Sequence, residues 1–470
     1  MTTQNKYKTL LDNTFLISLG TFGSKLMTFV MVRFYTGILT PSDYGTADLI
    51  MQTANLLLPV VSMGIANGVF RFALDEPERR KSIFSTGFYT ITLGAVLLWV
   101  IVSLLSFTSA FRGYGSLIAI YTMASCYHSL CAQFVRAEGK TALFAGQGIL
   151  NTALVIGLNI LFLAVFQLGV TGYVLSVALA DGLCTLYLVC RERLWRLLTS
   201  HPEKSIALQM LQYSIPLIPT TIFWWITSVS DRYMVTGFLG AQANGLYAVA
   251  YKIPTILTLL STIFLEAWQF SAISEAVGDR KAHVQFYSEI WSSFLSVMFL
   301  AAGAVIAMSQ IEIGLLSDAE YFFAWRYVPV LSVAMVFSAF SSFTGSVYVV
   351  AKKSVLSFWT AMAGAILNIV LNLVLIPKIG VQGAAIATLS SYLLSFGIRA
   401  VSSRRLLPFR LYKGRLLANT LILLFQMLDM ILELPLWPVI QALCLVLLLL
   451  INGKQLLAVA EKIVCLKKGI

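Results

Sequence analysis

Gly37–Phe72 reads GILTPSDYGTADLIMQTANLLLPVVSMGIANGVFRF, and Gly237–Ala272 reads GFLGAQANGLYAVAYKIPTILTLLSTIFLEAWQFSA. Both stretches join apolar runs, and a shift of 200 residues, from position 37 to position 237, superimposes their glycines and leucines. The identical pairs include Gly37 and Gly237, Leu39 and Leu239, Gly45 and Gly245, and Leu57 and Leu257. This echo predicts that the chain contains an internal duplication.

A second echo follows in the same order. Gly169–Gly172 (GVTG) recurs as Gly380–Gly383 (GVQG), and a Leu-Asn-Ile tripeptide precedes each copy. Together the echoes predict two homologous six-helix halves with the same orientation, the parallel kind of transporter repeat. We expect an N-terminal lobe over residues 1–205, a C-terminal lobe over 206–405, and two additional helices over 406–470.

The composition assigns the chain to the membrane. It is 58% hydrophobic and 11% charged, with a mean hydropathy of +0.83, whereas soluble domains carry roughly 25% charged residues. Because a helix needs about 20 apolar residues to cross a bilayer, the sequence predicts about fourteen spans and an all-α integral membrane fold. The predicted spans are 10–36, 43–70, 83–107, 115–135, 143–166, 170–190, 209–236, 240–270, 285–309, 322–350, 355–376, 381–402, 416–433 and 437–458.

Lysine and arginine concentrate in alternate loops, such as 79–81, 191–204 and 404–415, while the loop 310–321 is acidic. The positive-inside rule therefore predicts that both termini are cytoplasmic. The net charge of +12 is spread over many short membrane-flanking loops, so we exclude nucleic acid as a partner.

Polar stripes on the predicted helices mark a candidate central cavity, because charges in hydrocarbon usually face a polar interior. The predicted substrate-binding residues are Lys25, Arg33, Asp48, Gln52, Asn55, Trp224, Trp225, Arg232, Lys252 and Glu266. Alternatives stay open: Lys25 and Lys252 could form structural pairs, and Arg33 and Arg232 could snorkel to the interface.

Two further carboxylates are candidates for ion coupling, namely Asp181 and Asp231. Asp181 could instead neutralise a lysine, and Asp231 could pair with another helix. The six cysteines and three histidines match no metal spacing. A Walker A sequence is absent from the chain. We expect no catalytic residue, no metal and no cofactor.

Several motifs resemble polysaccharide flippases of the Wzx type. In the second half these are Tyr213–Pro219 (YSIPLIP), Ser230–Tyr233 (SDRY), Ala243–Tyr247 (ANGLY), Tyr251–Pro254 (YKIP) and Ala267–Ile273 (AWQFSAI). In the first half, Leu39–Gly45 (LTPSDYG) and Gly64–Phe72 (GIANGVFRF) are similar to the same family. The resemblance spans most of residues 10–400.

That family belongs to the multidrug/oligosaccharidyl-lipid/polysaccharide exporter superfamily. The resemblance implies a V-shaped, two-lobed bundle that flips an undecaprenyl-pyrophosphate-linked oligosaccharide across the bacterial cytoplasmic membrane by alternating access, driven by an ion gradient. Lysines and arginines of the cavity would hold the pyrophosphate, and Trp224 and Trp225 would stack on sugars. Membrane lipids, a glycan polymerase and glycosyltransferases of the same pathway are the implied partners.

Two other functions remain open. A multidrug/cation antiporter would share the architecture, but its cavity should favour carboxylates over lysines. A membrane glycosyltransferase or polymerase would need a sizeable polar catalytic loop or an acidic metal motif. The longest polar connections here are basic and lack paired carboxylates, which argues against an enzyme.

Overall fold

The computed structural model describes residue 27 and residues 29–105, 113–275, 280–350 and 353–468. Within this part of the chain the secondary structure is helical and contains no strand. The helices are α1 (29–36), α2 (Pro41–Val61), α3 (Ile65–Asp75), α4 (Arg80–Leu105), α5 (Gly115–Ala137), α6 (Thr141–Asn159), α7 (Gly169–Glu192), α8 (Lys204–Ser214), α9 (Ile218–Leu239), α10 (Ala241–Lys252), α11 (Thr255–Glu275), α12 (Arg280–Leu316), α13 (Val328–Val350), α14 (Ser354–Ile379), α15 (Val381–Leu406), α16 (Lys413–Leu432) and α17 (Trp437–Lys468).

The number of spans among the described residues is close to the fourteen or so that the sequence predicts for the whole chain. Among the described residues, eleven helices are long and apolar enough to cross a membrane, and the bent pair α2–α3 raises this to twelve. Predicted span 115–135 corresponds to α5, which is helical but less apolar. Most of the first predicted span, 10–36, lies outside the described residues. The prediction of an all-α integral membrane protein is confirmed.

Local sequence explains where α2 begins and why it bends. Thr40 caps the helix, since its side chain accepts a hydrogen bond from the Asp43 N–H at 3.2 Å, and Pro41 occupies the first turn. The chain then turns by 49° between α2 and α3. Gly64 supports this turn with a φ of +62°, a conformation that glycine adopts without strain.

The chain divides into two compact units, an N-terminal unit (Met1–Trp225) and a C-terminal unit (Ile226–Ile470). The boundary falls inside α9, whereas the sequence predicts a lobe boundary at 205/206. The division into lobes of 1–205, 206–405 and 406–470 stays a prediction.

In the N-terminal unit, α5 lies at the centre and packs against α2, α3, α4, α6 and α7. Its buried face includes Leu130, Phe134 and Val135, which contact side chains of the surrounding helices in one apolar core. The same helix also carries buried or half-buried polar side chains (Ser125 and His128) at mid-length.

In the C-terminal unit, an aromatic core forms around Trp291 of α12. Its indole ring lies 4.9 Å from the ring of Phe340 and 5.1 Å from that of Phe343, both on α13. Trp291 Nε1 donates to the Leu411 carbonyl oxygen at 3.1 Å, which satisfies its buried polar atom. Helices α13, α14 and α15 pack side by side next to this core.

The two last helices are integrated into the C-terminal unit. α16 and α17 pack on each other and on α12, and two reciprocal amide contacts join them. Asn419 and Asn452 exchange hydrogen bonds of 3.1 and 2.9 Å, and Gln426 and Gln441 interact at 3.0 Å. Buried amide pairs of this kind stabilise helix contacts in hydrocarbon.

Candidate functional site

The predicted polar stripe of α2 is present in the N-terminal unit. Gln52 Nε2 donates to Asp48 Oδ1 at 3.5 Å, and Asn55 Oδ1 accepts from the Tyr121 hydroxyl of α5 at 3.4 Å. All three α2 side chains are half-buried. Arg33 is exposed on α1. The stripe therefore contacts α5, which the sequence did not predict.

Three other predicted residues are placed as follows. Trp224 and Trp225 are half-buried on α9, and Lys252 is half-buried at the last residue of α10. Glu266 belongs to α11, but its side chain is outside the described part of the structure. Lys25 also lies outside the described residues.

Asp231 is the centre of a polar cluster in the C-terminal unit. Its side chain is fully buried. Oδ2 accepts from the Tyr247 hydroxyl of α10 at 2.6 Å and from Thr388 Oγ1 of α15 at 3.2 Å. Oδ1 accepts from the Arg232 backbone N–H at 2.9 Å. The carboxylate thus joins three helices, and two of its three donors come from neighbouring helices.

The cluster continues through α14. Asn368 Nδ2 donates to Thr388 Oγ1 at 3.4 Å, while its Oδ1 accepts from Asn372 Nδ2 at 2.9 Å and from Ser230 Oγ at 3.2 Å. Buried polar groups in a bilayer need such partners, because water is absent there. The result is a continuous hydrogen-bonded network across α9, α10, α14 and α15.

Arg232 follows Asp231 on α9 and is 7% exposed. Its guanidinium carbon lies 5.0 Å from the centroid of the Tyr251 ring of α10, a cation–π geometry. One turn earlier on α9, Ser228 Oγ lies 3.4 Å from the Tyr392 hydroxyl of α15. The network thus places a buried cation beside aromatic and hydroxyl groups.

Sequence reasoning did not find several members of this network. They are Tyr247, Asn368, Asn372, Thr388 and Tyr392. Asn368 belongs to the repeated Leu-Asn-Ile tripeptide, and Asn372 follows it at i+4, so a polar stripe on α14 was visible in the sequence. Tyr247 belongs to the quoted motif ANGLY but was not predicted as a site residue, and Thr388 gave no signal.

Asp181 anchors a second cluster, in the N-terminal unit. The side chain, on α7, accepts from Asn151 Nδ2 of α6 at 2.8 Å and from the Ser125 hydroxyl of α5. His128 Nδ1 of α5 lies 3.1 Å from Asp181 Oδ1. His128 Nε2 lies 2.6 Å from Gln147 Oε1 of α6. The sequence named Asp181 but not these partners.

The described side chains contain no cluster of three or more His, Cys, Asp or Glu residues that could hold a metal ion. Both carboxylate clusters instead consist of hydroxyls, amides, one imidazole and one guanidinium. Such groups can bind and release charged or hydroxylated molecules by hydrogen bonding.

Comparison of the sequence with known proteins finds a matching family and a distant relative. The family model described as polysaccharide biosynthesis protein matches residues 10–277. An uncharacterised membrane protein of Methanocaldococcus jannaschii is 22% identical over 400 residues, which cover 78% of this chain and 91% of that protein.

Solved structures show the fold. The lipid II flippase MurJ in an inward closed conformation superimposes with a TM-score of 0.70 and 15% identity, over 93% of this chain and 98% of that one. An inward-facing multidrug resistance transporter of the MATE family gives a TM-score of 0.63 and 14% identity, over 82% and 95% of the two chains. The chain therefore belongs to the polysaccharide biosynthesis protein family, and it has the fold shared by flippases and exporters of the MOP superfamily.

Proposed function

We propose that the protein translocates undecaprenyl-pyrophosphate-linked oligosaccharide repeat units from the inner to the outer leaflet of the bacterial cytoplasmic membrane. Transport would proceed by alternating access and be driven by an ion gradient. The family match supports a role in polysaccharide biosynthesis, and the fold is one that flippases and exporters share.

The observation that supports an anionic cargo is the burial of Arg232. A guanidinium that is 7% exposed on a membrane helix is costly, roughly 2.5–3.5 kcal/mol by insertion scales, so it is expected to have a function. Arginine matches phosphate oxygens with a planar pair of N–H donors. The Tyr251 ring contacts the guanidinium and so limits its position.

The other cations extend this role. We propose that Lys25, Arg33 and Lys252 assist Arg232 in binding the pyrophosphate, and that Trp224 and Trp225 contact sugar rings. Asp48, Gln52, Asn55 and Glu266 would hydrogen-bond sugar hydroxyls. The proposal for Lys25 rests on the sequence alone.

A multidrug/cation antiporter is the alternative, and the buried carboxylates argue against it. A cationic cargo needs a carboxylate to pair with, yet Asp231 and Asp181 each accept three hydrogen bonds from protein donors. Such carboxylates are already satisfied. Resistance to cationic drugs on overexpression is the result that would favour the antiporter.

The proposal is tested by export in a strain that lacks the gene. Arg232→Ala and Lys252→Ala should insert at normal abundance yet fail to display the surface glycan, with lipid-linked oligosaccharide accumulating in the inner leaflet. Arg232→Lys keeps the charge and should restore part of the export. Arg405→Ala, a substitution of an exposed cation in the last turn of α15, is the matched control. Normal surface glycan in the deletion strain would contradict the function itself.

Topology and partners complete the proposal. We propose that both termini are cytoplasmic, and that a glycan polymerase and glycosyltransferases of the same pathway act beside the protein. Cysteines introduced at Ser200 and Asp318 should label from opposite sides of the membrane. Labelling from the same side would overturn the orientation.

A further inference from the structure

His128 is the one titratable basic side chain that contacts Asp181 in the described part of the N-terminal unit. Both lie near the middle of their helices, α5 and α7, and Asp181 is 8% exposed. Half-buried His128 has its ring enclosed by Asp181 of α7 and Gln147 of α6. The pair therefore lies within a three-helix contact rather than in a loop.

The hydrogen-bond partners of the two ring nitrogens indicate the charge of His128. Nδ1 faces Asp181 Oδ1 at 3.1 Å, and Nε2 faces Gln147 Oε1 at 2.6 Å. A carboxylate oxygen and an amide oxygen only accept hydrogen bonds, so each ring nitrogen must carry a proton. With this orientation of the Gln147 amide, both ring nitrogens would donate and His128 would be an imidazolium. Asp181 accepts two more hydrogen bonds, from Ser125 and Asn151.

Other titratable groups near the pair do not compete for the proton at neutral pH. The charge of Asp181 interacts with Tyr121 of α5 and Cys184 of α7. Phenols and thiols, however, ordinarily titrate above neutrality. α6 contributes the amides of Gln147 and Asn151 to the pair.

The other charged side chains of α5 and of the helices packed against it pair elsewhere or lie at helix ends, where Asp43, Lys81, Arg136, Arg191 and Glu192 are found. Asp48 of α2 contacts Gln52 of its own helix, Arg71 of α3 pairs with Asp75, and Arg80 of α4 pairs with Glu138. The protonated pair is thus neutral as a unit, and loss of its proton would leave one net negative charge at membrane depth, which is costly.

We propose that His128 and Asp181 form the proton-binding site through which this protein couples translocation to a proton gradient, an inference that rests on the proposed function. Release transfers one proton from His128 Nε2 to water and leaves a neutral ring whose Nδ1–H still donates to Asp181. Gln147 then turns its amide so that its NH₂ donates to the bare Nε2. Reprotonation reverses both changes.

The protonation state can be measured directly, because the chain contains three histidines. The full-length protein, labelled with ¹⁵N-histidine and placed in lipid nanodiscs, should show one ring with two N–H signals at pH 7. His128→Gln should remove that signal, and exposed His201→Gln should not. Asp181→Asn should reduce the second N–H signal at the same pH. A His128 ring with one N–H at pH 6 would overturn the site.

The N–H signals of His128 can be assigned without the His128→Gln variant. If His128→Gln fails to fold, the paired variants His201→Gln and His283→Gln leave His128 as the remaining histidine, and its signal is then read alone. In addition, Gln147→Leu removes the Nε2 acceptor, so the second N–H signal should weaken. An unchanged second signal in Gln147→Leu would contradict the proton count.

Coupling is measured in proteoliposomes with fluorescently labelled undecaprenyl pyrophosphate as the probe. The readout is the ratio of flipping rates with and without an imposed gradient of two pH units. We expect a several-fold ratio in the wild type and in His201→Gln, and a ratio near one in His128→Gln. A wild type that flips the probe with a ratio of one would overturn the coupling but not the function. An imidazolium signal together with an absence of flipping would instead contradict the function.

Discussion

The two units each bury a carboxylate among membrane helices, but with different partners. Asp231 of the C-terminal unit is held by neutral donors, the Tyr247 and Thr388 hydroxyls and a backbone N–H. Asp181 of the N-terminal unit faces an imidazole. The Arg232 guanidinium next to Asp231 stays charged at any ordinary pH, whereas the imidazole beside Asp181 is a partner that can gain or lose a proton near neutral pH.

The difference extends beyond the carboxylates. The spacing that relates Gly169 to Gly380 places Tyr392 opposite Asp181. A titratable acid in one copy therefore corresponds to a phenol in the other. On the predicted repeat, equivalent positions of the two copies would therefore differ in their chemistry. We assign anchoring to the C-terminal cluster and proton exchange to the N-terminal one; a role of Asp231 in ion coupling stays a prediction.

The largest expected effect concerns the repeated glycines. A Cβ at Gly383 would lie 2.6 Å from the Leu375 backbone, while one at Gly172 would meet Leu168 Cβ at 2.9 Å and the Phe162 carbonyl at 3.2 Å. Gly383→Ala should therefore cost about 3 kcal/mol or more, since overpacking forces backbone shifts. Thermal unfolding in detergent and the yield of folded protein measure this, and Gly172→Ala should lose less.

Matched controls exist in the same two helices. Gly397 of α15 and Gly182 of α7 have no atom within 4 Å of an added Cβ. Alanine there should leave the melting temperature unchanged or raise it slightly, because alanine favours helix more than glycine does. Equal losses at Gly383 and Gly397 would show that close helix packing is not the cause.

The second prediction compares the carboxylates themselves. Asp231→Ala should destabilise the protein by about 2–4 kcal/mol, because it leaves buried Tyr247 and Thr388 donors without their acceptor and opens a cavity. Asp231→Asn keeps the shape and should lose less. Melting temperature and membrane abundance are the readouts. If Asp231→Ala melts like the wild type while export stops, Asp231 acts on ions or cargo rather than as an anchor.

The third prediction tests whether neutral amide pairs hold α16 and α17 together. Asn419→Ala and Asn452→Ala should each destabilise, and the double variant should lose less than the sum, with a coupling of about 0.6 to 1.7 kcal/mol. Thr420→Ala, one residue along α16, is the control because its hydroxyl bonds the Leu416 carbonyl of its own helix. Fully additive losses would contradict a direct amide contact.

The smallest effect is expected for the ion pairs at the ends of α5 and α7. There Lys140 contacts Glu138 and Glu192, and Glu138 also contacts Arg80 at 3.3 Å. Burial by itself would lower the pKa of Lys140, but the hydrogen bonds and charges of the two glutamates outweigh it and raise that pKa. Lys140→Ala should cost less than about 1 kcal/mol, because exposed ion pairs are screened.

The sign of the pH dependence at Lys140 follows from its raised pKa. The contribution is present at neutral pH and is lost only as the pH rises above about 10, the ordinary range of lysine. The difference in melting temperature between wild type and Lys140→Ala should therefore be constant from pH 6 to 8 and shrink in high salt. A difference that grows with salt would exclude the ion pairs.

The sequence alone determined the class of the protein. Apolar runs of membrane length predicted the helices, since hydrocarbon admits only backbone that bonds to itself. The glycine echoes also marked equivalent turns and contacts. Gly169 and Gly380 both have positive φ, at +55° and +65°, and an added Cβ at Gly172 or Gly383 would lie within 3 Å of a neighbouring atom. The motifs named the family correctly because they are local in sequence.

Only the tertiary structure decided which polar groups meet. Asp231, Tyr247 and Thr388 lie on three different helices. His128 lies on α5, whereas Asp181 lies on α7, two helices further along the chain. A helical wheel shows that a side chain faces inward, but it does not show which neighbour it faces. Helix packing fixes that choice, and so it decides which donors surround each buried carboxylate.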